Sequence, residues 1–129
     1  MLHEQIKDPL FPNCPVRNVL ARVTGKWPIL VMLSLAGKSS PMRFKELTVA
    51  IPDISQRMLT ITLRDLEADG MVTRRVYAEV PPRVEYTLTP RGQSFIPLLN
   101  EIVNWGVDNM SDITKDREKY HRGAVRPED

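Results

Sequence analysis

The sequence of 129 residues predicts a mainly helical α+β domain, and three observations lead to this prediction. Apolar residues recur at helical spacing up to Gly70, alternate with a period of two after it, and return to helical spacing after Pro90. Two short helices joined by a tight turn form a helix-turn-helix, and the two alternating runs form an antiparallel hairpin. A helix-turn-helix followed directly by a two-stranded β-hairpin wing is the order of a winged helix-turn-helix.

Proline and glycine set the limits of the first elements. We expect residues 1–13 to form an irregular N-terminal arm and residues 14–113 to form the domain itself. A first helix begins at Cys14 and Pro15, because proline inside a helix start loses no hydrogen bond, and it ends at Gly25. Its predicted buried face has i, i+3, i+4, i+7 spacing and consists of Val16, Val19, Leu20 and Val23. A second helix runs from near Pro28 to Gly37.

The helix-turn-helix follows. Its first helix covers residues 44–50 and is broken before Pro52, since the residue preceding a proline avoids helical geometry. Ser55 is a good N-cap for the second helix, which continues to Asp69 and stops at Gly70.

The hairpin consists of residues 72–79 and 83–88, joined by the stiff tip Val80-Pro81-Pro82. Thr89 then caps a long C-terminal helix that reaches Asn109 or beyond. From about Thr114 the chain is polar and shows no periodicity, so residues 114–129 predict a frayed tail.

Composition excludes several classes of protein. The longest apolar stretch, residues 27–36, is about half the ~20 residues of a membrane span, and no apolar run follows the charged N-terminus as in a signal peptide. One cysteine cannot form an internal disulfide, and the chain lacks the ligands of a metal site. We expect a soluble cytoplasmic protein without metal or cofactor. The net charge of +2 does not by itself indicate nucleic-acid binding.

Catalysis lacks the residues it would require. Both histidines, His3 and His121, lie in the terminal segments, and the glycines are too scattered to form a phosphate-binding loop. No Ser/His/Asp set can be assembled from the middle of the chain. We therefore predict no catalytic residues and no enzymatic activity.

The second helix of the helix-turn-helix has the composition of a recognition helix. Leu59, Leu63 and Leu66 lie on one side, and a polar face with Arg57, Ile61 and Arg64 lies opposite. Arginine can bond guanine, glutamine can bond adenine, and Ile61 can pack on a thymine methyl group or on a neighbouring helix. A solvated helix face has a similar composition. The predicted DNA-binding residues of this helix are Ser55, Gln56, Arg57, Thr60, Ile61 and Arg64.

Arginines beside the hairpin tip favour the DNA interpretation. Arg74, Arg75 and Arg83 suit contacts to phosphates or the minor groove, and Arg83 is favoured because it follows the tip directly. Arg43 and Lys45 could clamp the DNA backbone, or they could be ordinary surface charges. The alternative function is a winged-helix module for protein–protein contacts without specific DNA binding, which the apolar Ile61 would favour.

The apolar residues of the C-terminal helix spread over roughly 200° of its surface, beyond the ~100° stripe that one core requires. A homodimer would cover the excess, and wrapping by the chain's own arm is the alternative. The predicted dimer interface contains Val16, Leu20, Leu98, Ile102 and Trp105.

Cys14 precedes the first helix, where the helix dipole favours the thiolate and would make the thiol reactive. The other interpretation is a small buried residue that fills a gap.

Several blocks in order resemble the HxlR-type winged-helix transcriptional regulators, which are related to the MarR regulators. The resemblance covers residues 14–110, and its blocks are Cys14-Pro15-Val16, Gly25-Lys26-Trp27, Arg43-Phe44-Lys45-Glu46-Leu47, Ile54-Ser55-Gln56-Arg57-Met58-Leu59, Leu63-Arg64-Asp65-Leu66-Glu67, Asp69-Gly70, residues 79–86 and Leu88-Thr89.

The resemblance implies a dimeric regulator that binds a palindromic operator in double-stranded DNA, as repressor or activator, with a small-molecule or oxidant effector. It places Ser55, Gln56, Arg57, Thr60 and Arg64 in the recognition helix and Arg83 in the wing. Several members sense oxidants through a cysteine at the position of Cys14. Ile61 departs from the family, whose members usually carry a polar residue there.

Overall fold

A computed structural model of the chain describes residues 13–38 and 40–123. All but Asn13 of the predicted N-terminal arm lies outside the described residues, as do residues 124–129 of the predicted tail. The helices are α1 (a π-helical segment Val16–Leu20 continued by Ala21–Val23), α2 (Lys26–Ala36), α3 (Phe44–Ala50), α4 (Gln56–Ala68) and α5 (Pro90–Arg122), and the strands are β1 (Val72–Tyr77) and β2 (Arg83–Leu88). This order confirms the predicted winged helix-turn-helix.

The helix α1 differs from its prediction. Of the four residues expected to form one buried face, only Val23 is buried, whereas Val16 and Val19 are exposed. The reason is the π-helical start, in which hydrogen bonds join residues five apart and the 3.6-residue periodicity is lost. Gly25 has an extended backbone and serves as the N-cap of α2.

An aliphatic core joins the helix-turn-helix to α2 and the hairpin. Buried side chains come from α2, α3, the turn and α4, and Tyr86 is the one buried aromatic residue in the described part of the chain. Ile51 and Ile54 anchor the turn, where the Ile54 N–H donates to the Ile51 carbonyl oxygen at 3.2 Å. The core therefore holds α3 and α4 in a fixed arrangement.

The wing is a two-stranded antiparallel sheet in which Val72 pairs with Leu88 and Tyr77 with Arg83. On the other edge of β2, Met42 forms an isolated antiparallel bridge with Tyr86 through N···O distances of 2.8 and 3.1 Å. The base of the wing is thus hydrogen-bonded to the segment just before α3.

A set of backbone contacts, which we call the junction, joins the end of α4 to the start of α5. Gly70 adopts the left-handed conformation that ends α4, with φ of 74°. Thr89 accepts a hydrogen bond from the Gly92 N–H at 3.1 Å, which confirms it as the N-cap, and its hydroxyl donates to the Gly70 carbonyl oxygen. The Arg91 guanidinium donates to the Asp69 carbonyl oxygen at 2.9 Å.

The helix α5 continues to Arg122, so the expectation of a frayed tail from Thr114 is wrong for residues 114–122. This segment has no apolar periodicity, but lysine, arginine and glutamate are strong helix formers. Lys119, His121 and Arg122 also lie in the last turn, where positive charge is favourable to the helix dipole.

Candidate nucleic-acid interface

The N-terminus of α4 is set by Ser55, whose hydroxyl oxygen accepts a hydrogen bond from the Met58 N–H at 3.0 Å. This is the predicted N-cap. Leu59, Leu63 and Leu66 are each at most 3% exposed, and Thr62 is buried between them. The predicted inner face is therefore confirmed, and its burial turns the opposite face of α4 outward.

The outward face of α4 presents side chains with free hydrogen-bond donors. Gln56, Arg57 and Arg64 are exposed, and their side chains have no hydrogen-bond or ion-pair partner among the described residues. Thr60 is half-buried and donates its hydroxyl proton to the Gln56 carbonyl oxygen at 2.9 Å. Ile61 is 40% exposed in the middle of this face. The face thus combines amide and guanidinium donors with one apolar contact.

Two adjoining depressions lie beside this face, and we call them together the groove. The first, of about 500 Å³, is lined by Phe44, Gln56, Arg57, Thr60, Ile61 and Arg64. The second, of about 410 Å³, shares Phe44, Thr60 and Arg64 with the first and adds Leu63, Glu67, Arg74 and Tyr86. The groove therefore extends from the N-terminal turns of α4 towards the wing. Sequence reasoning missed Phe44, Glu67 and Tyr86 as lining residues, although Glu67 lies one turn after Arg64.

Arg43 and Lys45 are both exposed at the start of α3. The Arg43 N–H donates to the Glu46 carboxylate at 2.8 Å, and this hydrogen bond lowers the pKa of Glu46. Lys38 also approaches Glu46, at 3.5 Å. The Lys45 ammonium group has no partner among the described residues and is available to an anion.

The wing arginines lie on two faces of the sheet. Arg74 pairs in register with Tyr86, whereas Arg75 pairs with Glu85, so their side chains point to opposite sides. The Arg75 guanidinium lies over the Tyr77 ring, 4.9 Å from its centre. Of the two, only Arg74 lines the groove.

Arg83 is held by its own hairpin. Its guanidinium lies 3.2 Å from the Glu79 carboxylate, 3.7 Å from that of Glu85 and 3.9 Å from the centre of the Tyr77 ring. Its side chain is 30% exposed. The residue that the sequence favours as the wing's DNA contact therefore already has two anionic partners.

Cys14 is 7% exposed, at the N-terminal end of α1. In the described part of the chain, four of the five predicted dimer residues are exposed and the fifth is half-buried. In α5, Leu98, Ile102 and Trp105 are 53%, 51% and 63% exposed, and in α1, Val16 is 38% exposed and Leu20 is half-buried.

Within residues 13–38 and 40–123, no group of three or more His, Cys, Asp or Glu residues could hold a metal ion. In the same part of the chain, no single helix is both long and apolar enough to cross a membrane. Val16–Val23 and Lys26–Ala36 reach that length and composition only as a pair, across a bend of 57°.

Comparison with known proteins agrees with this geometry. The chain is 50% identical to an HTH-type transcriptional regulator of Methanothermobacter thermautotrophicus over 93 residues, covering 72% of this chain and 70% of the relative. It is 41% identical to the HTH-type transcriptional regulator YdeP of Bacillus subtilis over 120 residues, covering 92% and 88% of the two chains. The reduced form of the redox regulator HypR superposes with a TM-score of 0.71 at 40% identity, covering 78% of this chain and 98% of HypR.

The profile of the HxlR-like helix-turn-helix family matches residues 22–114. This match includes α2, α3, α4, the wing and most of α5. The chain therefore belongs to the HxlR-like helix-turn-helix family, and it is a transcriptional regulator of the helix-turn-helix type.

Proposed function

We propose that this regulator acts in the cytoplasm as a homodimer on a palindromic DNA operator, and that the outward face of α4 reads the bases. The observation that supports the proposal is the set of unpartnered donors on Gln56 and Arg57, in the first turn of α4. Arginine donates to O6 and N7 of guanine, and glutamine bonds N6 and N7 of adenine. Ile61 contacts a thymine methyl group from the same face.

Contacts to the DNA backbone position this face on the duplex. The Ser55 hydroxyl oxygen accepts a hydrogen bond from the Met58 N–H, so the hydroxyl proton remains free for a phosphate oxygen. The N-terminus of a helix also favours a negative charge. Arg43 and Lys45 approach the phosphates from α3. These contacts set the register, whereas the side chains of α4 supply the sequence preference.

Dimerisation covers the apolar residues that the single chain exposes. Leu98, Ile102 and Trp105 are spaced at i, i+4 and i+7, so they form one stripe on α5, and each is more than half exposed. A two-fold dimer places two α4 helices in successive major grooves, about 34–36 Å apart.

Selection from a random library of duplexes of about 40 base pairs, with the reduced protein, tests this function. We expect an enriched inverted repeat whose half-sites are centred about 10–10.5 base pairs apart, and binding that weakens steeply with salt because phosphate contacts release counterions. The absence of any enrichment, together with binding that salt leaves unchanged, would support the protein–protein module instead.

Replacing Arg57 with alanine is expected to weaken binding to the selected duplex by about 1–3 kcal/mol for each half-site and to relax the preference at one base pair in each half-site. Arg57→Lys serves as the matched variant, because it keeps the charge but loses the bidentate geometry. It should retain the salt dependence and lose the base preference. Equal loss on all sequences for the alanine variant would make Arg57 a phosphate contact.

We also propose that Cys14 makes the regulator responsive to oxidants, an idea supported by its likeness to the redox regulator HypR. Formation of one disulfide removes two electrons and two protons from two thiols. Because the chain has one cysteine, the second thiol must come from another protomer or from a small-molecule thiol. Cys14 is buried, so the reaction requires the start of α1 to open.

Treatment of the wild type with diamide, which accepts the two electrons and two protons, should weaken or strengthen DNA binding, and a reducing thiol should reverse the change. Cys14→Ala should bind DNA like the reduced wild type and show no response to diamide. Alanine is chosen because a serine hydroxyl at this buried position would cost stability. An unchanged affinity of the wild type after complete modification of Cys14, measured by mass spectrometry, would contradict the proposal.

A further inference from the structure

The two faces of the wing carry different charge environments. Side chains alternate along β1, so Val72, Arg74 and Val76 share one face and Thr73, Arg75 and Tyr77 share the other. Val72 is 2% exposed, which identifies the first of these as the face that packs on the domain. The groove opens along this face, because Arg74 and its pairing partner Tyr86 both line it.

On the opposite face the positive charge is already compensated. Arg75 and Arg83 both lie over the Tyr77 ring, at 4.9 and 3.9 Å from its centre. Arg83 also pairs with Glu79 and Glu85. Two arginines and two glutamates leave this face with no net charge. A phosphate approaching Arg83 would have to displace carboxylates that the hairpin itself holds in place.

On the groove face the positive charge is uncompensated. Arg64, from α4, and Arg74, from β1, line the same depression, and neither side chain has an ion-pair partner in the described part of the chain. Glu67 is the one acidic residue lining it, and it lies within 4.0 Å of no cationic group in the described ranges. Two arginines and one glutamate give the wing end of the groove a net positive charge.

We infer that the wing contacts the DNA backbone through Arg74, which together with Arg64 binds one phosphodiester group at the wing end of the groove. This rests on the proposed function, in which α4 lies in the major groove beside it. Guanidinium groups donate charge-assisted hydrogen bonds to phosphate oxygens. Arg83 is instead a positioning residue that joins the two strands at the base of the tip. The assignment replaces Arg83, which sequence position alone favours, with Arg74.

The variants Arg74→Gln and Arg75→Gln form a matched pair, because the residues are adjacent, equally charged and both exposed. Binding to the selected duplex and to an unselected duplex is measured over a range of salt concentrations. The proposed dimer loses one phosphate contact in each protomer, so Arg74→Gln should reduce the magnitude of the slope of log K against log salt by about 1.8 on both duplexes, that is about 0.9 per protomer. The slopes of Arg75→Gln and Arg83→Gln should equal that of the wild type. A reduced slope for either of these variants, with no change for Arg74→Gln, would overturn the assignment.

A further variant is expected to strengthen DNA binding rather than weaken it. Misfolding would weaken binding, so it could not account for this result. Glu67→Gln removes the one carboxylate that lines this part of the groove, and we expect tighter binding on both duplexes with unchanged sequence preference. Unchanged or weaker binding would count against a phosphate at this position. If the wild type binds no duplex at all, the proposed function itself fails and the assignment falls with it.

Discussion

Replacing Ile102 with aspartate is expected to convert the proposed dimer into a monomer and to reduce affinity for the selected duplex by about 100-fold or more. A monomer binds one half-site and loses the avidity of two linked contacts, which is typically about 10²–10⁴-fold. Ile102 is 51% exposed, between Leu98 and Trp105 on the apolar stripe of α5. In a two-fold interface the new carboxylate enters twice, and burying an unpaired charge costs several kcal/mol.

Light scattering measures the change directly, since the mass should fall from about twice the 14.8 kDa of one chain to that value. Asn104→Asp is the matched control, because it adds the same charge to an exposed position on the opposite side of α5. It should remain dimeric. An Ile102→Asp protein that stays dimeric and binds as tightly as the wild type would show that the stripe covers no second copy.

Replacing Gly92 with alanine is expected to destabilise the fold by about 3 kcal/mol, the upper end of the usual cost of overpacking. A Cβ atom at this position would clash with the Met71 carbonyl oxygen and would lie 3.0 Å from a methyl group of Leu88. The first contact is with backbone, which cannot rotate away. The junction would have to open, so the start of α5 and the start of β1 would both shift.

Urea unfolding at a fixed protein concentration measures this effect as a lower midpoint. Gln93→Ala is the control, since Gln93 is exposed in the same turn and its replacement should change the free energy of unfolding by no more than about 0.5 kcal/mol. A Gly92→Ala protein as stable as the wild type would mean that the approach of α5 to Met71 is looser than the structure shows. The glycine was not singled out by sequence reasoning, because its role depends on a contact with a residue far away in the sequence.

Elements governed by local signals were predicted well. The helix α3 has the predicted limits of residues 44–50, and β2 has the predicted limits of residues 83–88. Ser55 and Gly70 define α4 through their own backbone and side-chain chemistry, which short sequence patterns report directly. The outward face of α4 followed from the same reasoning, because a helix with three buried leucines on one side leaves the other side exposed.

Features that depend on tertiary geometry were not predicted. The partners of Arg83 are fixed by how the tip folds Glu79 back towards the strand, which alternation alone does not specify. The end of α5 was misplaced because apolar periodicity reports burial, whereas residues 114–122 are helical although each of them is exposed. The π-helical start of α1 likewise breaks the periodicity from which its buried face was inferred.

The buried side of α4 supports the fold, whereas its exposed side does not, and this difference affects how regulators of this kind can diversify. Gln56 and Arg57 have no side-chain partner in the described part of the chain, so the fold does not depend on their identity. Exposed substitutions of this kind usually change stability by no more than about 0.5 kcal/mol. If this face reads the operator as proposed, a lineage can acquire a new operator preference by changing these positions one at a time, without first accumulating compensating changes in the core.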